Sequence, residues 1–438
     1  MSAVTFKGGL HPPGGKERTE KLAVEVMKAP AEVVIPLSQH IGAPAKACVE
    51  EGAEVLMGQR IGEPAGFISA AVHASVSGKV KAVEPRVGMM GVEVLSVVID
   101  NDGEDRPAER SGLGDAWSDA SPDEIKEKIG QAGIVGMGGA TFPTMVKLSP
   151  PAAKPIDTVI LNGAECEPML TADHRLMLES PEDVVRGLQI VLKVLGAKSG
   201  FNGVEENKPE AIEILRKAAP KGIEVVPLKV KYPQGAEKQL ISACLGRSVP
   251  SMGLPMDVGV VVHNVGTAKA ISDAVVLGKP LFERVVTISG SAVEKPANLL
   301  VRVGTPISEV ISFLGGAKGD LGKLIVGGPM MGFAQRTDAA AVTKGTSGIL
   351  LFSNDEINTD EPLPCIRCGR CIRACPMRIS PTDIATFSRL RMAEEAEAAD
   401  ALDCMECGTC AYGCPSGIPL VQEIRLGKAT INAAKRKK

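Results

Sequence analysis

The stretch CIRCGRCIRACP at residues 365–376 recurs, with the same cysteine spacing, as CMECGTCAYGCP at residues 404–415. Each run reads Cys-x2-Cys-x2-Cys-x3-Cys-Pro. Three thiolates two residues apart can surround one cubane iron–sulfur cluster, while the fourth thiolate reaches another cluster. The repeat therefore predicts two [4Fe–4S] clusters and a protein that transfers electrons.

The fourth cysteine of each run is expected to bind the cluster of the other run. The predicted ligand sets are Cys365, Cys368, Cys371 and Cys414 for cluster 1, and Cys375, Cys404, Cys407 and Cys410 for cluster 2. Zinc is the alternative, but a closed tetrahedral zinc site has no use for a third cysteine at this spacing in both runs. A disulfide framework would be typical of a short secreted chain.

The whole chain is too long for one ordinary domain. Its 438 residues suggest about three domains. No apolar run approaches the roughly 20 residues that span a bilayer, and the N-terminus lacks the apolar core of a signal peptide. We therefore expect a chain without a membrane span of its own, in a reducing compartment. A net charge of −3 and 3% aromatic residues argue against nucleic-acid binding.

The first hundred residues divide into two parts. Residues 1–30 are rich in Gly and Pro, which predicts an irregular segment. Residues 31–100 contain short β-prone runs separated by Gly and Pro, which predict a small all-β unit. This unit resembles a lipoyl/biotinyl-type β-barrel. The turn that would carry a modified lysine reads AVHAS at 71–75, so we expect no covalent cofactor there.

Strands and helices alternate from residue 101 to 275, which is typical of an α/β domain. Ser121 and Glu124 form a capping box for a first helix, and the glycine-rich loop GIVGMGGATFPT follows at 133–144. Closely spaced glycines allow backbone N–H groups to approach a phosphate. By itself the loop fits either a phosphate site or a tight turn, because it follows a helix and has Thr141 where the dinucleotide fingerprint needs glycine.

Polar motifs follow the predicted strands of this domain. NGAECEP at 162–168 comes directly after the apolar run DTVIL, and HNVGT at 263–267 follows another apolar strand. Open α/β sheets bind ligands at the carboxyl ends of their strands. The sequence therefore predicts a ligand site where these motifs meet.

Four motifs in a fixed order, GMGGATFPTMVKL, NGAECEP, YPQGAEKQL and HNVGTAKA, resemble the flavin- and nucleotide-binding subunit of respiratory complex I and related diaphorases. FKGGLHPPGGK at 6–16, GGPMMG at 327–332 and the two cysteine runs resemble more closely the C-subunit family of Rnf complexes, the membrane-bound ferredoxin:NAD oxidoreductases. The resemblance extends over essentially the whole chain. It implies a β-grasp domain at 276–348, and a helical, bacterial-ferredoxin-like domain with two clusters at 349–438.

The resemblance also implies a noncovalent FMN. The residues that it places around FMN are Gly136, Gly138, Gly139, Lys147, Asn162, Glu165, Tyr232, Gly235, Asn264 and Thr267. It implies that Phe142, Glu167 and Glu237 hold NADH against the flavin. Apart from the resemblance, Lys147 supplies a compact charge for a phosphate. Exposed charges on loops or helices are an equally good interpretation of Glu165, Glu167 and Glu237.

We therefore expect a subunit of an oxidoreductase in which hydride moves between NAD(H) and FMN, and single electrons move between FMN and the two clusters. The implied partners are other Rnf-type subunits, including an iron–sulfur subunit and integral membrane subunits. The implied location is peripheral, on the cytoplasmic side of the cell membrane. The alternatives are a cobalamin reductase-like protein with a similar flavin and cluster core, and a flavin-free iron–sulfur relay. No acid–base catalyst is assigned.

Overall fold

The computed structural model of the protein describes residues 2–437. Met1 and Lys438, the outer residues of the first and last predicted segments, lie outside the described residues. The chain forms four successive units, each with its own apolar core.

The first unit consists of short strands. In chain order the strands of this region are β1 Val24–Val26, β2 Glu32–Pro36, β3 Lys46–Ala47, β4 Glu54–Val55, β5 Arg60–Glu63, β6 Val72–His73, β7 Gly78–Val87 and β8 Glu93–Asn101. Strands β2-β8-β7-β4 form one antiparallel sheet, and β3-β5-β6 form a second. Both sheets contribute to one core, in which Val33, Ile61 and Val97 are fully buried. Residues 32–101 are therefore a two-sheet β unit.

The second unit is a parallel α/β domain. Its elements are α1 Pro122–Gln131, α2 Thr144–Lys147, β9 Thr158–Gly163, α3 Ala172–Glu179, α4 Pro181–Leu195, β10 Ser199–Glu205, α5 Pro209–Ala218, β11 Ile223–Leu228, α6 Glu237–Leu245, β12 Val260–Asn264 and α7 Val265–Leu277. All strand pairs in the order β11-β10-β9-β12 are parallel. The chain moves outward from β9 to β11 and then returns to the other side of β9. Such a reversal leaves a crevice at the carboxyl ends of the strands.

Local sequence signals set the ends of two helices in this domain. The Ser121 hydroxyl accepts a hydrogen bond from the Glu124 N–H at 3.2 Å, as the capping motif predicts. Helix α4 buries Val184, Leu188 and Val191 along one face. It ends at Gly196, whose φ of 63° is left-handed and favours glycine.

The third unit is a mixed sheet with one helix. Its elements are β13 Glu283–Ser289, β14 Ala297–Arg302, α8 Ile307–Phe313, β15 Leu321–Val326, β16 Phe333–Gln335 and β17 Gly348–Ser353. The strand order is β1-β14-β13-β17-β15-β16.

This sheet includes two strands that lie partly or wholly outside the predicted domain at residues 276–348. Strand β1 lies within the segment expected to be irregular. It pairs in parallel with β14, which is distant from it in sequence. Strand β17 pairs with β13 and β15 and extends beyond residue 348. Short strands whose partners are distant in sequence leave little local signal.

The fourth unit is helical and contains the cysteines of both runs. Its helices are α9 Arg370–Ala374, α10 Pro381–Arg389, α11 Ala393–Ala398, α12 Thr409–Tyr412 and α13 Leu420–Lys437. Cys371, Cys375 and Cys410 belong to its apolar core together with residues of α10 and α13. Within residues 2–437, no helix has both the length and the apolar character needed to cross a membrane.

Candidate functional site

The predicted motifs meet at the carboxyl edge of the parallel sheet. Asn162 near the end of β9 is in register with Asn264 at the end of β12. The Asn162 side-chain amide donates a 2.7 Å hydrogen bond to the carbonyl of Gly235. Gly235 N–H in turn lies 3.2 Å from the Cys166 sulfur. The end of β9 and the loop after it are thereby joined to the loop after β11, beside the end of β12.

The glycine-rich loop folds back on itself beside α7. The Gly136 N–H donates to the Phe142 carbonyl at 2.8 Å, which closes the loop at its base. The Met137 N–H donates to the buried Thr267 hydroxyl at 2.8 Å. Gly138 has a φ of 83°, and a Cβ there would lie 2.8 Å from the Asn264 amide nitrogen. The loop can therefore lie against α7 only because position 138 has no side chain.

The tip of this loop is open. Gly138, Gly139 and Ala140 are exposed, and a Cβ added to Gly139 would meet nothing within 4 Å. Among the described residues, the N–H groups of these three donate no hydrogen bond to the protein. Free N–H groups beside a helix N-terminus suit an anionic group such as a phosphate.

Asn264 joins the loop to a buried carboxylate that the sequence did not indicate. Its Oδ1 accepts the Gly266 N–H at 2.8 Å and caps α7, while its Nδ2 donates to Asp173 Oδ2 at 2.6 Å. Burial raises the pKa of Asp173, although the hydrogen bond from Asn264 opposes the rise. Asp173 thus fixes the amide orientation of a predicted flavin contact.

Lys147 lies in a separate group at the same edge. Its Nζ donates to Glu237 Oε1 at 2.9 Å and to the Val262 carbonyl at 2.5 Å. Both charged side chains are partly exposed. Next to them the buried His263 has no hydrogen-bond partner for Nε2 in the described part of the chain, and burial, followed by the Lys147 charge, lowers its pKa well below the ordinary value. A predicted flavin residue and a predicted NADH residue are therefore in direct contact.

Glu165 is held by the protein itself. Its carboxylate accepts the Asp173 N–H at 2.7 Å and the His174 N–H at 3.3 Å, at the start of α3. Lys16 Nζ lies 3.9 Å from the same carboxylate. Burial raises the pKa of Glu165 to about 7, and Lys16 partly offsets this rise. The carboxyl group thus satisfies a helix N-terminus.

Lys16 anchors the loop that carries Glu165. Only 8% of Lys16 is exposed, and its Nζ donates to the carbonyls of Glu165, Glu167 and Leu170 at 2.9, 3.0 and 2.5 Å. Lys208, which is also buried, donates to the Ala164 carbonyl at 2.8 Å. Two buried lysines therefore hold the main chain that follows β9.

Glu167 and Tyr232 lie towards the cysteines. Glu167 accepts the N–H groups of Met330 and Met331 at 3.0 and 2.9 Å, and burial raises its pKa to about 7. The Tyr232 hydroxyl donates to the Cys407 carbonyl at 2.7 Å and lies 3.5 Å from Glu167. These two predicted cofactor contacts therefore connect the α/β domain, the GGPMMG loop and a cysteine run.

Phe142 lies on the glycine-rich loop and is partly buried. Its backbone carbonyl accepts the Gly136 N–H.

The four cysteines predicted for cluster 2 come together. A cavity of about 20 Å³ is lined by Cys375, Cys404, Cys407 and Cys410 together with apolar side chains. Burial raises the pKa of the Cys404 thiol to about 11, and the nearby thiols of Cys407 and Cys375 add to that rise. Between Ser2 and Lys437, no three His, Cys, Asp or Glu side chains converge tightly enough to hold a single metal ion. The four thiols therefore line one small cavity.

Three of the four cysteines predicted for cluster 1 form a second, more exposed group. Burial raises the pKa of the Cys371 thiol, and Cys368 and Cys414 nearby add to the rise. The chain beside Cys365 is tied to that beside Cys414, because Leu363 N–H donates to the Ser416 carbonyl at 2.9 Å. Cys365 itself is exposed. The structure thus brings together cysteines from both runs in each group.

A larger cavity of about 200 Å³ adjoins the glycine-rich loop. Met137, Asp173 and Gly266 line it on one side, and Lys269 and Arg284 line it on another. Arg284 is buried and donates to the Lys344 carbonyl at 2.6 Å, and burial lowers its pKa to about 10. Lys16 ends the FKGGLHPPGGK motif, but that motif gave it no role, and no motif contained Asp173, Lys208 or Arg284. Each of the four reaches its partners through long-range packing.

The comparisons with known proteins match the four units in order. The matching family models are the RnfC barrel sandwich hybrid domain at residues 4–104, the Nuo51 FMN-binding domain at 129–273, the SLBB domain at 285–334 and the 4Fe-4S dicluster domain at 357–415. The chain therefore contains an FMN-binding domain and a domain for two [4Fe–4S] clusters.

Two relatives match this chain over most of its length. The chain is 49% identical over 435 residues to the C subunit of the Na(+)-translocating ferredoxin:NAD(+) oxidoreductase complex of Acetobacterium woodii, covering 99% of this chain and 98% of that one. It is 48% identical over 396 residues to the C subunit of the proton-translocating ferredoxin:NAD(+) oxidoreductase complex of Clostridium ljungdahlii, covering 90% and 86%.

A solved structure shares the fold at low identity. An NAD+-reducing [NiFe]-hydrogenase matches with a TM-score of 0.50 and 17% identity, over 74% of this chain and 64% of that one, which is less than two thirds of its length. The family is therefore assigned from the two relatives, which are more than 40% identical over nearly the whole chain. The chain belongs to the family of C subunits of Rnf-type ferredoxin:NAD oxidoreductase complexes.

Proposed function

We propose that this chain is the subunit of an ion-translocating ferredoxin:NAD oxidoreductase complex that exchanges electrons with NAD(H). The observation that carries the proposal is the convergence of an open glycine loop, a capped helix N-terminus and two cysteine groups in one chain. FMN, when bound, supplies the exchange between two-electron hydride chemistry and one-electron transfer. The chain's own residues bind and orient the reactants.

The residues at the sheet edge fit a flavin phosphate and ring. The free N–H groups of the loop tip at Gly138 and Gly139, above Gly136, would hold an anionic group, and Lys147 would add a positive charge. Asn162, Gly235, Asn264 and Thr267 are already fixed by hydrogen bonds and would orient the flavin without reorganisation. Glu165 would act mainly by positioning α3 beside this site.

NAD(H) is proposed to bind on the open side of the glycine loop. Phe142 offers a partly exposed ring, and Glu237, paired with Lys147, offers a carboxylate at the same edge. Glu167 is proposed to position the GGPMMG loop through its two backbone hydrogen bonds, since its carboxylate is occupied by them.

The clusters are proposed to have ligands from both cysteine runs. Cluster 1 would be bound by Cys365, Cys368, Cys371 and Cys414, and cluster 2 by Cys375, Cys404, Cys407 and Cys410. The support is the mixed origin of the thiols in each group. Cluster 2 would be the inner carrier, because Cys407 contacts Tyr232 of the α/β domain.

The remaining proposals concern architecture and surroundings. The mixed sheet with helix α8 is consistent with a β-grasp domain in the region 276–348, followed by the cluster domain at 349–438. The partners would be the other subunits of the complex, including an iron–sulfur subunit and membrane-spanning subunits, with this chain bound peripherally on the cytoplasmic side. The names of the relatives, which are subunits of ion-translocating complexes, support a place in a complex with other subunits.

Cofactor analysis of anaerobically purified protein tests the proposal. We expect about eight iron atoms per chain, since each cubane holds four, together with FMN and NADH–ferricyanide activity. If the protein contains iron but no flavin and does not oxidise NADH, it is a flavin-free iron–sulfur relay instead. Zinc in place of iron would contradict both.

A further inference from the structure

The glycine-rich loop at 133–144 contacts a turn that belongs to the third unit. This turn, residues 343–346, precedes β17 and is closed by the Thr346 N–H, which donates to the Thr343 carbonyl at 3.1 Å. Lys344 and Gly345, at the centre of the turn, contact the outgoing and the returning limb of the loop. We name residues 343–346 the clamp turn.

Lys344 holds the limb of the loop that leaves α1. Its side chain is only 1% exposed, and its Nζ donates to the carbonyls of Gly133 at 2.8 Å and Ala71 at 2.6 Å. Its main chain is fixed as well, because its N–H donates to Gln39 Oε1 at 2.9 Å and its carbonyl accepts a hydrogen bond from Arg284 at 2.6 Å. The ammonium group therefore holds Gly133 from a position set by the first and third units.

Gly345 contacts the returning limb of the loop at Thr141. Thr141 has a φ of 56°, which is left-handed and unfavourable for a β-branched residue. Such a conformation persists only where the surrounding contacts determine it. A Cβ added to Gly345 would lie 2.8 Å from Thr141 Oγ1. The Thr141 side chain thus occupies the space that a side chain at position 345 would take.

The glycine-rich loop needs support from outside itself. Four of its twelve residues are glycines, and glycine loses more conformational freedom on ordering than any other residue. The contacts at Gly133 and Thr141 lie on either side of the open tip at 138–140. A binding group that is already ordered pays less free energy when its ligand arrives.

From these contacts, and resting on the proposed FMN site, we infer that Lys344 and Gly345 are positioning residues for the flavin. They order the glycine-rich loop before FMN binds, so that the free N–H groups of its tip are held in place. Neither residue is among those that the resemblance places around FMN. The third unit thereby takes part in cofactor binding through the clamp turn.

Gly345→Ala tests the inference in the anaerobic full chain. The φ of Gly345 lies outside the left-handed region, so the backbone accepts alanine, and the added methyl group displaces Thr141. We expect FMN to bind about tenfold more weakly, equivalent to about 1.4 kcal/mol, in a fluorescence titration of the deflavinated chain. Iron content should not change. Lys344→Met should weaken FMN binding too, and should also lower the unfolding temperature.

A second substitution separates a displaced loop from a disturbed turn. In Gly345→Ala/Thr141→Ala the added Cβ would lie 3.7 Å from the Cβ at position 141, which is an ordinary contact distance. We expect this double variant to bind FMN within about threefold of Thr141→Ala alone, because the two substitutions act on one contact. The matched control is Gly66→Ala, an exposed position where an added Cβ would meet nothing within 4 Å.

Amide hydrogen exchange of the deflavinated chain reads the loop without FMN. In Gly345→Ala the hydrogen-bonded N–H groups of Gly136 and Met137 should exchange faster than in the unchanged chain. If the unchanged chain rebinds no FMN but this difference persists, the proposed FMN site fails and the contact with the clamp turn stands. Equal exchange in the two chains would overturn the positioning role. So would unchanged FMN affinity in Gly345→Ala, no recovery in the double variant, or an equal loss in Gly66→Ala.

Discussion

Single glycines in the loop at 133–144 have different physical constraints. Gly138 has a φ of 83° and lies against Asn264, whereas Gly139 has neither a left-handed φ nor a neighbour within 4 Å of an added Cβ. A left-handed residue other than glycine costs roughly 1–2 kcal/mol before any clash. A substitution at Gly138 therefore tests the folding of the loop, whereas a substitution at Gly139 tests ligand binding alone.

Gly139→Ala is expected to leave the protein folded but to weaken FMN binding about tenfold, equivalent to about 1.4 kcal/mol, because the methyl group enters the space at the open loop tip. Fluorescence titration of the deflavinated protein measures the affinity. Gly138→Ala should lower both flavin affinity and the unfolding temperature. Unchanged FMN affinity in Gly139→Ala would remove Gly139 from the proposed cradle.

His174 is predicted to make stability depend on pH. It is 7% exposed, and burial, followed by the charges of Lys208 and Arg175, lowers its pKa from 6.5 to about 4. When the pH falls below 6.5, the unfolded chain takes up a proton that the folded chain resists. The contribution of His174 to stability is therefore complete above pH 6.5 and is lost progressively towards pH 4.

The comparison of His174→Gln with the unchanged protein isolates this effect from the buried carboxyl groups, whose raised pKa values act in the opposite direction. Between pH 7 and pH 5, the unfolding temperature of the unchanged protein should fall further than that of the variant. Parallel curves for the two proteins would show that His174 is not the group responsible.

At the scale of elements, the N-terminal segment, residues 2–30, contacts three of the units. Its Lys16 holds the loop after β9, β1 extends the sheet of the third unit, and the Gly9 N–H donates to the Ala374 carbonyl of the cluster domain at 2.8 Å. The loop 164–170 therefore depends on a residue that is remote in sequence.

Lys16→Met should destabilise the protein, because it leaves three carbonyls without their donor, and each unsatisfied buried group costs about 1–3 kcal/mol. We expect the unfolding temperature to fall by roughly 5 °C or more, with reduced flavin content. Lys21→Met, an exposed position in the same segment, is the control and should behave like the unchanged protein. If Lys16→Met unfolds at the same temperature as the unchanged protein, the Lys16 hydrogen bonds are not needed for stability.

At the scale of the whole molecule, polar contacts join the α/β domain to the cluster domain. Tyr232 is buried and joins Cys407. Asp403 of the cluster domain accepts a hydrogen bond from the Met252 N–H at 2.9 Å. These contacts hold the cluster domain against the α/β domain.

Tyr232→Phe should slow the reduction of the clusters by NADH several-fold, because loss of a buried hydrogen bond loosens this junction, while bleaching of the flavin stays unchanged. Freeze-quench electron paramagnetic resonance measures the clusters, and stopped-flow absorbance measures the flavin. Tyr412→Phe is the control, because the other tyrosine of the chain is 55% exposed. A Tyr232 variant that loses FMN instead would favour a direct contact between Tyr232 and the flavin.

Local patterns in the sequence were sufficient to predict the cofactors, FMN and two [4Fe–4S] clusters. The two cysteine runs have a spacing that few other sites need, and the motif order led to the family that the relatives confirm. The helix cap at Ser121 and the apolar stripe of α4 were also predictable, because short-range geometry determines them.

Only the tertiary structure decided what the buried charges do. Glu165 accepts hydrogen bonds from the start of α3, Tyr232 donates one to Cys407, and Lys16 crosses from the N-terminus to the loop after β9. The partners of Tyr232 and Lys16 are far apart in sequence, and the Glu165 contact spans a loop and the start of a helix, so no local pattern specifies them. A buried polar group must find a partner wherever packing provides one, and packing is a property of the whole fold.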